Sequence, residues 1–214
     1  MGWEPAPRQG WVAPHLASEF PGLGIAWVEV EAKPGKSSEA VRRRLRDLSD
    51  RTYGAEAVRL RERPIPWAYR VFFRQIGLDP DRQRTPIEQL TLDRLHDGGF
   101  RSRGLPADAL TIAIVETGVA LRALDADSLE GSLCIRDTAP GETLPGDPGE
   151  VAQGTLVIAD AAGPVALLFG PAGEAQRVER ATRRIAVVAT QVRGVPQISV
   201  EEALWMAAAT LQAG

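Results

Sequence analysis

An α+β fold is predicted for this chain, with a helical first half followed by a mostly antiparallel or mixed sheet. Three observations predict it. Before residue 100, helix start and stop signals bracket apolar patterns of helical period. After residue 110, short runs rich in Ile, Val and Leu are separated by Pro-Gly turns. Strands and helices do not alternate regularly, which sets the chain apart from a doubly wound parallel sheet. With 214 residues there is ample length for one large core. No repeat or long linker divides the chain, so a single domain over residues 1–214 is expected.

The elements follow in order. Residues 1–23 are rich in Pro and Gly and read as an irregular lead-in. Gly24 to Glu31 alternates apolar and polar residues, a half-buried strand. Pro34-Gly35 turns the chain into a helix that starts near Ser37 or Ser38 and runs to about Tyr53, with Gly54 as its stop. A second helix is predicted from Pro66 to Ile76, where Trp67, Phe72, Phe73 and Ile76 recur at helical spacing. Thr85-Pro86-Ile87-Glu88 is a capping box with proline at the first helical position, and Asp97-Gly98-Gly99 ends that third helix. Short strands are expected at Thr111–Val115, Ser132–Arg136, Thr155–Ala159, Val165–Phe169 and Arg184–Thr190. The third and fourth of these should pair through a turn at Ala161-Ala162-Gly163. Ser199-Val200-Glu201-Glu202 reads as the capping box of a final helix.

Composition excludes several classes. No run of eighteen apolar residues is present, so no segment is expected to enter a membrane. The first residues lack a basic-then-apolar leader, which predicts a cytoplasmic protein. Cys134 is the one cysteine and reads as a buried strand residue. The two histidines, His15 and His96, stand in no metal-ligand spacing with each other or with Cys134, so no metal site is expected. No phosphate loop, nucleophile elbow or dinucleotide fingerprint occurs, and no cofactor is predicted. The net charge of −3 divides unevenly: residues 1–105 carry 18 Lys and Arg against 14 Asp and Glu, residues 106–214 carry 7 against 14. Arginines 42, 43, 44, 46, 51, 59, 61 and 63 concentrate the basic charge. They read either as a phosphate-binding face or as a solvated helix face paired with Glu39, Asp47, Asp50 and Glu56.

Three segments add a resemblance. Glu116-Thr117-Gly118-Val119-Ala120-Leu121-Arg122-Ala123-Leu124-Asp125 resembles the Glu-x-Gly-Gln-Pro-Leu-His-Ala-Phe-Asp signature of the phenylalanyl-tRNA synthetase β chain. Leu129-Glu130-Gly131-Ser132-Leu133-Cys134-Ile135-Arg136, followed by Gly141-Glu142-Thr143-Leu144, is similar to that family's Leu-Glu-Gly-x-Ile-x-Val-Arg and Gly-Glu-x-Leu. Thr155-Leu156-Val157-Ile158-Ala159-Asp160 matches a strand of the same module, and the phase continues through Gly173-Glu174, Val178, Thr182 and Ile185. The match is best over residues 108–190. The earlier Tyr69–Gly77 and Arg84–Leu90 segments resemble free-standing B3/4 domain proteins, whose late Asn-Trp-Arg-Gln stretch is missing here.

The resemblance implies a layered B3/B4-type domain and a site that cleaves tyrosine wrongly esterified to the phenylalanine tRNA. Transferred residue by residue, that site is altered. The family's pocket histidine falls at Arg122, its tyrosine-hydroxyl acceptor glutamate at Val188, an asparagine at Thr111, and a Gly-Gly pair at Ala172 and Gly173. Asp108, Glu116, Gly118 and Asp125 match and are expected to set turns and strand ends. Valine offers a phenol no acceptor, so tyrosine should not be preferred. Arg122 stays charged near neutral pH and cannot serve as a base. It reads as an anchor for a carboxylate or phosphate, or as a surface partner of Asp125, Asp127 or Glu130. The function implied is a trans-acting aminoacyl-tRNA ester hydrolase of non-tyrosine preference, or its inactive descendant. Its partner is then the acceptor end of a charged tRNA. The alternative is a non-catalytic module that binds an amino-acid-like small ligand in the same cavity, and a third reading is a protein-interaction domain that uses the arginine-rich helix.

Overall fold

The computed structural model describes residues 6–53 and 59–214. The chain opens with β1 (Arg8–Gln9), β2 (Trp11–Val12), α1 (Pro14–Glu19) and β3 (Gly24–Glu31). Next come the helices α2 (Glu39–Arg51), α3 (Pro64–Gln75), α4 (Pro86–Asp97) and α5 (Ala107–Thr117). Then come β4 (Ala120–Asp125), β5 (Cys134–Asp137), β6 (Leu156–Ala159), β7 (Pro164–Leu167), β8 (Arg184–Gln191) and the last helix α6 (Gln197–Gln212). This is an α+β fold.

The strands divide over two four-stranded sheets. One has the order β1-β3-β8-β4 and is antiparallel throughout. The other has the order β2-β5-β6-β7, with β2 parallel to β5 and the remaining pairs antiparallel. β6 and β7 pair with Val157 opposite Leu167, as their sequence spacing predicts. β8 is buried from Ile185 to Thr190 because α6 packs on it and on β3. That explains why its sequence is a continuous apolar run and not an alternating one.

Several expectations are corrected. From residue 6 onward the lead-in is ordered, carrying β1, β2 and α1. Gly10 allows this, since a Cβ there would stand 2.2 Å from the Leu133 carbonyl oxygen against which the chain passes. Thr111–Val115 lies in helix α5, not in a strand. Packed against α2, α4, α6 and β4, that helix buries Ala109, Ile112, Ala113, Ile114 and Val115. A helix enclosed on most sides shows no amphipathic period, and a short apolar run then looks like a strand. Gly118, at φ +79°, ends it in the left-handed conformation that glycine adopts without strain. Helix α6 begins two residues before Ser199, so Ser199–Glu202 lies inside it, and Pro196 holds the cap position. Ser38 caps α2 as predicted, accepting from the Val41 amide; Gly54, its expected stop, and Glu56 fall outside the described residues.

On α2, Glu39 takes both Arg42 (2.8 Å) and Arg46 (2.6 Å), and Arg51 reaches Glu116 on α5 (2.7 Å). Asp108 is buried and accepts from Ser37 (2.6 Å), Ser102 (2.5 Å) and the Arg103 amide (2.7 Å), fastening the start of α5 to the segment before α2. Among the described residues, no helix is long and apolar enough to cross a membrane.

Candidate functional site

In the antiparallel pairing of β4 with β8, Arg122 stands opposite Val188. Directly opposed residues project to the same face of a sheet, and both side chains border a pocket of about 200 Å³. Ala120, Leu121 and Thr190 complete its sheet side, Leu168, Phe169 and Gly170 form the opposite wall, and Pro86 closes one edge.

Helix α3 sets that wall. Phe169 packs against Tyr69 (ring centroids 6.2 Å), Phe72 (6.0 Å) and Phe73 (4.7 Å), the first two edge-on. The Tyr69 hydroxyl donates to the Thr190 carbonyl (2.6 Å) and accepts from the Ala120 amide (3.0 Å), bridging β4 and β8 at one end of the pocket. Full burial pushes its phenol well above the ordinary range. Pro86 is held by the predicted capping box, in which Thr85 Oγ1 donates to Glu88 Oε2 (2.8 Å) and Glu88 Oε2 accepts the Thr85 amide (3.2 Å). The buried Arg70 guanidinium clamps Glu88 and also bonds Asp81 (2.7 Å).

Arg122 Nη2 donates to the carbonyls of Leu168 (3.0 Å) and Gly170 (3.2 Å). The surface pairing expected for it does not form. Asp125 instead accepts from the Thr182 hydroxyl (2.7 Å), and Asp127 pairs with Arg184 (2.9 Å). Among the described residues no carboxylate lies in ion-pair reach of Arg122. Burial alone pushes its guanidinium down to about 10, which leaves it charged at neutral pH.

The remaining candidates lie elsewhere. Thr111 is on α5, where its hydroxyl donates to the Ala107 carbonyl (2.9 Å). Ala172 bridges to Ala166 beyond the end of β7. Gly173 is packed so closely that a Cβ would come within 2.7 Å of Gln176 Oε1 and 2.8 Å of Pro145 Cδ. The structure therefore unites Arg122 with Val188 and leaves Thr111, Ala172 and Gly173 off this pocket's lining. Sequence reasoning missed Thr190, Tyr69 and the Leu168-Phe169-Gly170 wall. Thr190 had a signal, because two residues beyond Val188 on a strand is the same face. No group of three or more His, Cys, Asp or Glu side chains suited to a metal occurs among the described residues.

The B3/4 domain model matches residues 68–211 of the sequence. The chain belongs to the B3/4 domain family. Curated relatives include the phenylalanine–tRNA ligase β subunit of Thiobacillus denitrificans, 40% identical over 93 residues, covering 42% of this chain and 12% of that subunit. The β subunit of Tropheryma whipplei is 36% identical over 117 residues, covering 53% of this chain and 12% of its own length. The B3/4 chain thus spans about an eighth of the length of these relatives. A solved N-terminal fragment of the phenylalanyl-tRNA synthetase β subunit from Pyrococcus horikoshii covers 95% of this chain and 48% of the fragment, with a TM-score of 0.44 and 13% identity.

Proposed function

We propose that this B3/4 domain binds the aminoacyl end of a charged tRNA in the cytosol and hydrolyses its ester, with the amino acid seated between Arg122 and Val188. The carrying observation is the Arg122 guanidinium itself. It is charged, half-buried in a small pocket and without a carboxylate partner, and it takes the place of the pocket histidine in the motif most like the synthetase β chain. The synthetase setting of the relatives supports a tRNA-linked ligand.

Chemically the demand is modest. Water attacks the ester carbonyl, the bond to the ribose oxygen breaks, that oxygen leaves with one of the water's protons, and the amino acid departs as a carboxylate as the other proton passes to solvent. Among the described residues no histidine or carboxylate lines the pocket, so its contribution is orientation, together with charge stabilisation of the developing oxyanion by Arg122. The volume of about 200 Å³ suits a small side chain. Val188 supplies no acceptor for a phenol, and an unpaired hydroxyl costs affinity when buried. A panel of charged tRNAs tests this: small apolar aminoacyl groups should be released faster than tyrosine from the phenylalanine tRNA, with binding that weakens steeply as salt rises. Efficient tyrosine release overturns the reading.

A second reading is favoured by the same guanidinium. A free amino acid offers Arg122 the carboxylate it lacks, through charge-assisted hydrogen bonds. In that case free amino acids alone raise the melting temperature, with no RNA present.

A further inference from the structure

A cleft of about 660 Å³, more than three times the volume of the Arg122 pocket, lies on the far side of the same Leu168–Gly170 turn. None of the five candidate residues borders it. Its distinctive wall comes from the segment read as an irregular lead-in. β2 pairs in parallel with β5, and the Ala13 amide donates to the Ile135 carbonyl (2.9 Å), which sets α1 down over the end of β5. There His15 Nε2 meets Asp137 Oδ1 at 3.1 Å, both side chains about half exposed to the cleft.

The cleft joins two kinds of surface. Leu16, Phe20, Leu156 and Phe169 give it an apolar side. The charged groups lining it are Glu19 and Asp137, with His15 on the latter, and no arginine or lysine lines it among the described residues. The neighbouring cation, Arg136, is committed elsewhere: both its terminal nitrogens are taken by Glu142, at 2.7 and 2.6 Å. Gln75 and Gln153 add neutral donors and acceptors.

We propose that this cleft is a second ligand site, one that binds a primary ammonium ion carried on an apolar or aromatic body. Its volume falls within the ordinary range for small-molecule sites, roughly 300–1,000 Å³. An ammonium brings three donors and no acceptor, which suits a rim of carboxylates and amide oxygens. Asp137 spends one oxygen on His15 and keeps the other for a donor. The apolar body gains by leaving water against Phe20, Leu156 and Phe169. An anion of the same shape meets two carboxylates and, among the described residues, no arginine or lysine, so the site discriminates by repulsion as well as attraction. This chemistry is opposite in sign to that of the Arg122 pocket and does not rest on it.

Tryptamine and indole-3-propionate carry one aromatic body with opposite charges, and titration calorimetry at neutral pH compares them directly. Tryptamine should bind saturably and shift the methyl resonances of Leu16, Leu156 and Leu167. Indole-3-propionate should bind at those methyls at least about tenfold more weakly. Asp137→Asn should weaken tryptamine by about tenfold or more with the melting temperature unchanged, and Glu19→Gln by a smaller factor. Equal affinity for the two indoles overturns the proposal. So do methyl shifts confined to other parts of the molecule, an Asp137→Asn protein that binds tryptamine as the parent does, or a titration without saturation. No tRNA enters this titration, so its result and that of the charged-tRNA panel stand apart.

Discussion

The guanidinium of Arg122 spans two carbonyls of the turn after β7, so its loss reaches the fold as well as any ligand. As the ligand anchor that the sequence suggests, Arg122 would leave the melting temperature nearly unchanged on its removal. The observed bonds imply otherwise. Arg122→Ala leaves the Leu168 and Gly170 carbonyls without their donor in a half-buried place, a loss of about 1–3 kcal/mol. At roughly 2–4 °C per kcal/mol for a domain of this size, the melting temperature falls measurably. Val188→Glu then acts through the same group. Its carboxylate arrives directly opposite Arg122 in the β4–β8 register and is captured as an ion pair, not left free to accept a tyrosine hydroxyl. Combined with Arg122→Ala, that carboxylate is buried and uncompensated, a situation that costs about 3–5 kcal/mol. Urea unfolding of the four proteins in the cycle should therefore show the double variant well below the sum of the single effects. Additive effects would mean that the two side chains do not meet.

At the scale of elements, helix α3 decides where the pocket stands. Its Tyr69 ties the first residue of β4 to the seventh of β8 through one hydroxyl, and its aromatic side chains pin Phe169 in the facing wall. Tyr69→Phe keeps the ring and deletes the bridge, leaving a buried carbonyl and a buried amide unpaired. Stability should drop by about 1–3 kcal/mol, and amide exchange at Ala120 should accelerate, because the substitution removes the acceptor of that amide. Unchanged protection at Ala120 would show that water or backbone replaces the hydroxyl. The same helix shows what was legible beforehand. Its apolar spacing, the capping box at Thr85 and the strand at Gly24–Glu31 all have local causes, and each appears in place, although β3 is buried continuously from Ile25 to Val28 and not half-buried as expected. Helix α5 and the Tyr69 bridge have non-local ones. Ala107–Thr117 is a helix because neighbours cover its sides, and no local pattern marks a core tyrosine as a strand clasp. The candidate site divides similarly. Arg122 and Val188 meet through strand register, which a motif spacing preserves, whereas Thr111 lies on a helix that the sequence disguises as a strand.

Across the whole molecule, carboxylates held by arginines set the response to acid. Glu39, between Arg42 and Arg46, is lowered from an ordinary 4.5 to about 2, chiefly by the hydrogen bonds from Arg46 and then Arg42. Asp81 is lowered by its hydrogen bond from Arg70, and Glu142 by that from Arg136. For each group the folded state holds its proton less tightly than the unfolded chain does. Between the unfolded and folded titration points the unfolded state therefore binds more protons, and stability rises with pH across that window. For Glu39 that contribution is complete above about pH 4.5 and disappears as the pH falls toward 2. The exposed pairs on α2 contribute little each, since water and salt screen them. Arg70 and Glu88 differ, because both are buried and the clamp also positions Pro86 at the pocket edge. A melting temperature measured from pH 7 downward should stay level to about pH 5 and then fall steeply. Added salt should soften that fall, since Glu39 and Asp81 are exposed and their pairs are screened. Arg70→Met should lower the plateau itself, because Glu88 then remains buried without a cation. A plateau unchanged by Arg70→Met would remove the clamp from the account of how the pocket edge is held.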